Sequence, residues 1–166
     1  NLKLSIPSGV VIKFAPQSNN FANYRMLVNG ELDVQGTASD PVVFTSIHDD
    51  TYGGDSNGNG NATQPSNKDW GYIQFNSAPN VTNTFEHCIV RYGGYYSTNY
   101  SSSSIYSMIW VYSPDKAYDD VTIRNCTIEN TYGDGIYVSG YAEPVIEDNT
   151  IKNCGSSGVE IDTDGI

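Results

Sequence analysis

The stretch VTIRNCTIEN, from Val121 to Asn130, realigns 23 residues further on with PVIEDNTIKN, from Pro144 to Asn153. The match resumes at nearly the same offset, where GIYV from Gly135 to Val138 aligns with GVEI from Gly158 to Ile161. A fixed period of about 20 to 50 residues is typical of a solenoid, in which no single repeat can bury its own apolar face. The repeat therefore predicts stacked coils.

A third copy lies upstream, where FEHCIVR from Phe85 to Arg91 fits Ile123 to Glu129. Each C-terminal repeat is predicted to contain three short strands, which in one copy are Val121 to Ile123, Thr127 to Glu129 and Ile136 to Val138. Successive residues of a strand point to opposite faces of the sheet. The positions expected to point inward are Val121, Ile123, Ile128, Ile136 and Val138, and those expected to point outward are Thr122, Arg124, Glu129 and Tyr137.

Three segments in the first half of the chain carry a resemblance to a known family. They are NGELDVQGTASDPVVFTS (Asn29 to Ser46), DDTYGGD (Asp49 to Asp55) and DWGYIQF (Asp69 to Phe75). With the repeat, they resemble right-handed parallel β-helix proteins, in particular secreted bacterial and archaeal surface proteins. The resemblance implies an all-β, right-handed parallel β-helix, and parallel crossovers are right-handed as a rule. Three strands per repeat predict about five coils. The fold alone does not indicate an activity.

The chain of 166 residues is predicted to form a single β-helix domain over residues 1–166, interrupted by two long loop insertions at about 47–69 and 93–104. It stops inside what looks like another repeat, and neither end carries the polar cap that a solenoid needs. We therefore expect a piece of a longer protein, or a subunit covered by its neighbours. Long loops in a compact domain are usually functional or disordered, so function is sought there.

The chain is strongly acidic, with 19 Asp plus Glu against 8 Lys plus Arg and a formal net charge of −11. Such a surface argues against nucleic acid and anionic membranes as partners, and suits Ca²⁺ or neutral glycans. Many charged residues fall into repeat columns of alternating sign, which predicts cross-strand ion pairs. The columns are Glu86, Arg124 and Glu147, and Arg91, Glu129 and Lys152. Cys88 and Cys126 share another column, predicted to be a buried ladder of small residues.

The first insertion contains a short pattern that is typical of Ca²⁺-binding loops. Asp55-Ser56-Asn57-Gly58-Asn59-Gly60 fits the start of the motif D-x-[DN]-x-[DN]-G, but Ser66 stands where a bidentate Glu would follow. The alternative is a flexible Gly/Asn turn. The ligand set of the hypothesis is Asp49, Asp50, Asp55, Asn57 and Asn59.

Aromatic residues are the other functional signal, with 13 Tyr and 2 Trp in the chain. Gln74, Trp110, Tyr137 and Glu160 are predicted to form an outward column on the third strands, where exposed rings suit stacking on sugars. Alternatively, the tyrosine-rich insertion covers these rings as a satellite cluster. The candidate glycan-binding residues are Tyr95, Tyr96, Tyr100, Trp110 and Tyr137.

No pattern of a known catalytic set is evident, and His87 sits at a turn position matched by Asn125. The leading hypothesis is a non-catalytic extracellular or cell-surface module, structural or adhesive, that binds a polysaccharide or cell-surface glycan. One alternative is a polysaccharide lyase or glycoside hydrolase domain, with Arg91 or Lys116 as the candidate base. The other is a filament subunit that associates head to tail through strand edges at its coil ends, which could instead meet flanking domains.

Overall fold

A computed structural model describes residues 2–16, 24–76, 81–95, 106–115 and 121–162. Within these residues the secondary structure consists of short strands, three to each coil. In chain order they are β1 (Lys3–Pro7), β2 (Val11–Phe14), β3 (Met26–Val28), β4 (Glu31–Gln35), β5 (Val42–Ser46), β6 (Ile73–Asn76), β7 (Asn83–Glu86), β8 (Cys88–Arg91), β9 (Ser107–Ser113), β10 (Val121–Arg124), β11 (Thr127–Thr131), β12 (Asp134–Gly140), β13 (Val145–Glu147), β14 (Thr150–Cys154) and β15 (Val159–Ile161).

The strands form three five-stranded sheets, and every coil contributes one strand to each sheet. The first sheet has the order β1-β4-β7-β10-β13, the second β2-β5-β8-β11-β14, and the third β3-β6-β9-β12-β15. All pairings are parallel, and each strand pairs with the equivalent strand of the adjacent coil. This is the predicted parallel β-helix of five coils. None of the residues that the structure describes form a helix of the length and hydropathy needed to span a membrane.

Apolar side chains fill the interior in columns that run from coil to coil. In the first sheet, Ile6, Val34, Phe85, Ile123 and Ile146 occupy one register position on successive strands. Phe85 and Ile123 are completely buried, and burying a side chain of this size stabilises the fold by about 1.5–3 kcal/mol. The predicted inward residues of the fourth coil are all buried, and the predicted outward ones are partly exposed.

Charged columns lie on the outside of the first and second sheets, as predicted. Arg124 forms ion pairs with Glu86 on one neighbouring strand and with Glu147 on the other, where Nη1 and Oε1 are 3.4 Å apart. In the second sheet, Glu129 Oε1 lies 3.4 Å from Arg91 Nε, and Glu129 Oε2 lies 3.1 Å from the ammonium of Lys152. Opposite charges across paired strands favour this register over a slipped one.

The corner between the first and second sheets is a tight turn that repeats in successive coils. His87, Asn125 and Asp148 have φ angles of 49°, 55° and 54° there, a left-handed conformation that Asn and Asp adopt more readily than most residues. His87 is thus a turn residue, as predicted. Cys88 and Cys126 follow this turn, and both are buried free thiols. The predicted ladder of small residues is confirmed.

The corner between the second and third sheets carries the long connections. It spans residues 47–72 in the second coil and 92–106 in the third, but only 132–133 in the fourth. Gly133 makes the short connection fit, because a Cβ at this position would lie 1.9 Å from the carbonyl oxygen of Tyr106 in the coil below. The first insertion, the described residues of the second connection (92–95 and 106) and this short turn therefore meet on one side of the molecule, beside the third sheet.

Candidate functional site

An open groove of about 940 Å³ runs along the third sheet beside its corner with the second sheet. Trp110, Tyr137 and Glu160 line it from the outer face of β9, β12 and β15. Tyr106 and Tyr132 line it from the corner, and further lining comes from Asn67 in the first insertion. The groove thus combines residues from several coils and from a connection that interrupts the repeat.

Two aromatic rings of neighbouring coils form the sheet side of the groove. Trp110 and Tyr137 pair in register, and their ring centroids lie 6.2 Å apart at an interplanar angle of 35°. Both side chains are half-buried. The indole nitrogen of Trp110 donates a hydrogen bond of 2.7 Å to Ser139 Oγ, which fixes the orientation of the ring. The predicted column of Gln74, Trp110, Tyr137 and Glu160 is confirmed by the strand register.

A second group of rings, the three-tyrosine cluster of Tyr95, Tyr106 and Tyr132, lies at the corner. Its ring centroids are 5.0 to 5.7 Å apart. The ammonium of Lys68 lies 4.2 Å from the ring centroid of Tyr132 and 5.5 Å from that of Tyr95, within the range of a cation–π interaction. The cluster therefore joins the first insertion to the third and fourth coils.

Asn67 and Lys68 are held in place because the residues that follow them are anchored in the protein. Asp69 Oδ2 accepts hydrogen bonds from Ser46 Oγ and from the backbone N–H of Ser66, and lies 3.2 Å from His48 Nδ1. Trp70 is completely buried. These contacts close the base of the insertion and set its last residues against the groove.

Trp70 is the main apolar anchor of this insertion. Its ring stacks on Phe14 of the first coil with centroids 4.2 Å apart and an interplanar angle of 11°. Its indole nitrogen donates a hydrogen bond of 3.0 Å to the carbonyl oxygen of Arg91 in the third coil. The side chain thus ties the second coil to both of its neighbours.

The groove is acidic. Asp134 and Glu160 line it, whereas no Lys or Arg does so among the described residues. Asp134 is largely buried, and its Oδ1 accepts a hydrogen bond of 2.8 Å from the backbone N–H of Ser157. The Tyr137 hydroxyl donates a hydrogen bond of 2.9 Å to Asp162 Oδ2. Burial and the neighbouring Asp162 carboxylate raise the pKa of Tyr137 to about 12.

Sequence reasoning found part of this site. Of the candidate glycan-binding residues, Trp110 and Tyr137 line the groove, and Tyr95 packs against two tyrosines that do. Tyr96 and Tyr100 lie outside the described residues. Tyr106 and Tyr132 were missed as ligand candidates, as was Asp134. The available signal for Tyr132 was its place in the repeat, between the second and third strands, where the preceding coils carry insertions.

The calcium candidates of the first insertion form a turn that is stabilised by its own hydrogen bonds. Asp55 Oδ1 and Oδ2 accept the backbone N–H groups of Asn59 and Gly60 at 3.2 and 2.8 Å. These bonds, the one to Gly60 above all, lower the pKa of Asp55. Asn57 Oδ1 also accepts the N–H of Asn59, and the Asn59 amide donates to Thr63 Oγ1 at 2.9 Å. The turn is therefore ordered by protein donors.

Asp49 and Asp50 lie at the start of the same insertion in different surroundings. Asp49 is 1% exposed; its Oδ2 accepts a hydrogen bond of 2.7 Å from Thr45 Oγ1 and lies 3.6 Å from Arg91 Nε. Asp50 Oδ1 is buried with no hydrogen-bond partner among the described residues. Across the described ranges, no three His, Cys, Asp or Glu side chains group closely enough to hold a metal ion. The calcium site remains a prediction.

Of the two candidate bases of a lyase mechanism, Arg91 and Lys116, the structure describes only Arg91. Lys116 lies outside the described residues. Arg91 lies between Asp49 and Glu129 and donates a hydrogen bond to the Tyr92 hydroxyl. Burial opposes its charge, but the Tyr92 hydrogen bond and the two carboxylates outweigh burial and raise the pKa of Arg91. A guanidinium held protonated in this way is poorly suited to accept a proton.

Ser46, His48 and Asp69 bring the residue types of a hydrolytic triad together, but in another arrangement. Asp69 Oδ2 contacts both the serine hydroxyl and the imidazole nitrogen, and Ser46 is completely buried. In a catalytic triad, the histidine instead lies between the two and accepts the proton of an accessible hydroxyl. These three residues act here to close the base of the insertion.

Comparisons with known proteins identify the fold family of the chain. The family model described as "Right handed beta helix region" matches residues 56–165, which is more than half of the chain. Searches of the curated proteins and of the solved structures gave no significant match. The family match indicates a right-handed helix, which the strand order of the three parallel sheets does not specify. With its stacked coils and this match, the chain belongs to the right-handed β-helix family.

Proposed function

We propose that this chain is a non-catalytic module of an extracellular or cell-surface protein, and that it binds a glycan in the groove of the third sheet. The observation that carries the proposal is the pair of half-buried rings, Trp110 and Tyr137, side by side in an open groove. Ligand sites generally combine apolar and aromatic surface with a few placed polar groups. Sugars present both apolar C–H faces and hydroxyl groups, so they match such a surface.

Polar groups around the rings supply the hydrogen-bonding partners that sugar hydroxyls need. Glu160 continues the column beyond Tyr137, and Asn67 lines the groove from the first insertion. Trp110 is already oriented by Ser139, and Tyr137 by Asp162. A rigid site loses less conformational entropy on binding than a flexible one. This arrangement supports the binding of a polymer that lies along the groove.

A catalytic role has less support than binding. The charged columns on the coils are ion pairs between neighbouring strands, and Arg91, one of the two candidate bases, is held protonated. The acidic surface and the resemblance to secreted surface proteins favour a module displayed outside the cell. The lack of catalysis and the location outside the cell are both part of the proposal.

The test is calorimetric titration with a panel of neutral, amino-bearing and uronic-acid polysaccharides, using the native chain and two variants. Tyr137→Ala removes a ring of the groove, and Tyr112→Ala removes a neighbouring ring of the third sheet that does not line it. We expect Tyr137→Ala to weaken binding about tenfold, since a lost ring contact costs on the order of 1 kcal/mol beyond its buried area. Tyr112→Ala should bind like the native chain.

Two results would overturn the proposal. No heat with any polysaccharide of the panel would remove glycan binding as the function of the groove. Equal affinity of the two variants, with both folded as judged by circular dichroism, would move binding to another part of the molecule. Release of reducing ends or of unsaturated products from any polymer would instead favour the enzyme hypothesis.

A further inference from the structure

We propose that the groove selects glycans with free amino groups over N-acetylated and uronic-acid glycans. This inference rests on the proposed function and specifies its ligand. Glu160 has no ion pair or hydrogen bond with any described residue, although it lies at the end of the ring column. Its carboxylate is therefore available to a cationic group of a ligand that lies on Tyr137.

The charged residues that line the groove are acidic among the described residues, and the nearest cation is the Lys68 ammonium on Tyr132 at its corner. Asp134 and Glu160 line it, and Asp162 adjoins it through the Tyr137 hydroxyl. Within the described part of the chain, no Lys or Arg lies over the ring of Trp110 or Tyr137. Carboxylates of a uronic-acid polymer would meet like charges here, whereas ammonium groups would meet opposite ones. Electrostatic repulsion of the one and attraction of the other would make the groove specific for the cationic glycan.

The corner of the groove already binds an ammonium group of the protein itself. Lys68 places its Nζ 4.2 Å from the ring centroid of Tyr132. Trp and Tyr faces attract cations because the ring quadrupole is negative there, and Trp is the strongest of the aromatic side chains in this respect. Trp110 and Tyr137 offer the same chemistry beside Glu160. An amino sugar suits this combination, since it has a C–H face for the ring and an ammonium for the carboxylate.

A buried serine at the edge of the groove also lacks a hydrogen-bond partner among the described residues. Ser107 is 1% exposed and lines the groove, and its hydroxyl has no hydrogen-bond partner among the described residues. Buried polar groups are normally hydrogen-bonded, and an exception calls for an explanation, such as strain or a partner that is a water molecule, an ion or a ligand group. Ser107 pairs in register with Asp134, so this hydroxyl lies in the coil next to the buried carboxylate.

The experiment compares three probes of equal length: glucosamine oligosaccharides, N-acetylglucosamine oligosaccharides and galacturonate oligosaccharides. Affinities are measured by calorimetry, first at a pH at which the sugar amines are protonated and then above their pKa. We expect the glucosamine probe to bind about tenfold more tightly than the N-acetylated one when it is charged. This advantage should disappear when the amines are neutral, and should shrink as salt is added.

A pair of variants separates a local contact from the overall charge of the protein. Glu160→Gln should weaken glucosamine binding about two- to fivefold, the range for one exposed ion pair, and leave the N-acetylated probe unaffected. Asp148→Asn makes the same change of charge in the same coil, at the corner away from the third sheet. Asn accepts the φ of 54° at this position, so this control should bind like the native chain.

The possible results separate this inference from the proposed function. Equal binding of the amino and N-acetylated probes, both lost in Tyr137→Ala, overturns the selection but leaves glycan binding in place. Equal effects of Glu160→Gln and Asp148→Asn overturn the local contact. A lysine peptide that binds as tightly as the glucosamine probe overturns the glycan as the ligand. Absence of binding to every probe overturns both proposals together.

Discussion

Replacement of Trp70 by Ala should destabilise the protein strongly and loosen the wall of the groove. Trp70 is completely buried, stacks on Phe14 and donates a hydrogen bond to the Arg91 carbonyl. Truncation of a buried Trp costs about 3–5 kcal/mol, because the transfer free energy is lost and a cavity remains. In a chain of this size, each kcal/mol lowers the melting temperature by about 2–4 °C, so the expected fall is roughly 6–20 °C.

Trp70→Phe provides the matched comparison. A phenyl ring keeps the stacking on Phe14 but loses the indole donor, so this variant should lose only about 1–2 kcal/mol. Gly93 packs directly on the indole, where a Cβ would lie 2.6 Å from Trp70 Cε2, so the native indole is tightly enclosed on this side. The free energy of unfolding is measured by thermal and chemical denaturation of the three proteins.

A cost below about 1 kcal/mol for Trp70→Ala would refute the reasoning, since it would mean that the insertion does not depend on this anchor. The same variant should also weaken any glycan binding, because Asn67 and Lys68 lie directly before Asp69 and Trp70. Binding that is unchanged in a clearly destabilised Trp70→Ala would show that the first insertion is no part of the site.

Three further predictions concern pH, calcium and association. The raised pKa of Tyr137, about 12, means that its contribution to stability is complete below about pH 10, the value of a free tyrosine, and is lost as the pH rises towards about 12. Tyr137→Phe should remove this component from the pH profile of the unfolding free energy; an unaltered profile would contradict it. Ca²⁺ should raise the melting temperature, by the equivalent of about 2.7 kcal/mol at about 100 times its dissociation constant, and EDTA should reverse the rise. Asp55→Ala should abolish this shift, whereas no shift in the native chain would leave the turn held by its own hydrogen bonds. The coil ends expose apolar side chains such as Leu4 and Ile161, 52% and 64% exposed, so light scattering should show head-to-tail association that grows with concentration; a strict monomer would count against it.

The coils could be predicted from the sequence because their signals are local and periodic. Inward and outward positions alternate within each strand, so Ile123 and Arg124 were assigned to opposite faces without knowledge of the fold. The repeat then placed Arg124 opposite Glu86 and Glu147, and the structure has these ion pairs. The same logic paired Trp110 with Tyr137 on neighbouring strands.

The groove could be predicted only in part, because half of it comes from outside the repeat. Lys68 and Tyr132 are far apart in sequence, yet the ammonium lies 4.2 Å from the ring centroid. No periodicity relates them, since connections between strands follow paths that depend on what they pack against. The calcium motif shows the converse: the spacing of Asp55, Asn57 and Asn59 is a local signal, but the oxygens of Asp55 and Asn57 also accept hydrogen bonds within a turn.

Sequence patterns alone are enough to predict the stacked coils, the apolar columns inside them and the outward row of Trp110 and Tyr137. Alternation along strands and the repeat length are sufficient for these features, because each coil must bury its apolar face against the next. No sequence pattern predicts that Asn67, Tyr106 and Tyr132 meet that row to form an acidic, ring-lined groove, which becomes visible in the folded chain. Their meeting depends on the folding of non-repeating connections over one corner, where Trp70 and Asp69 hold the first insertion in place.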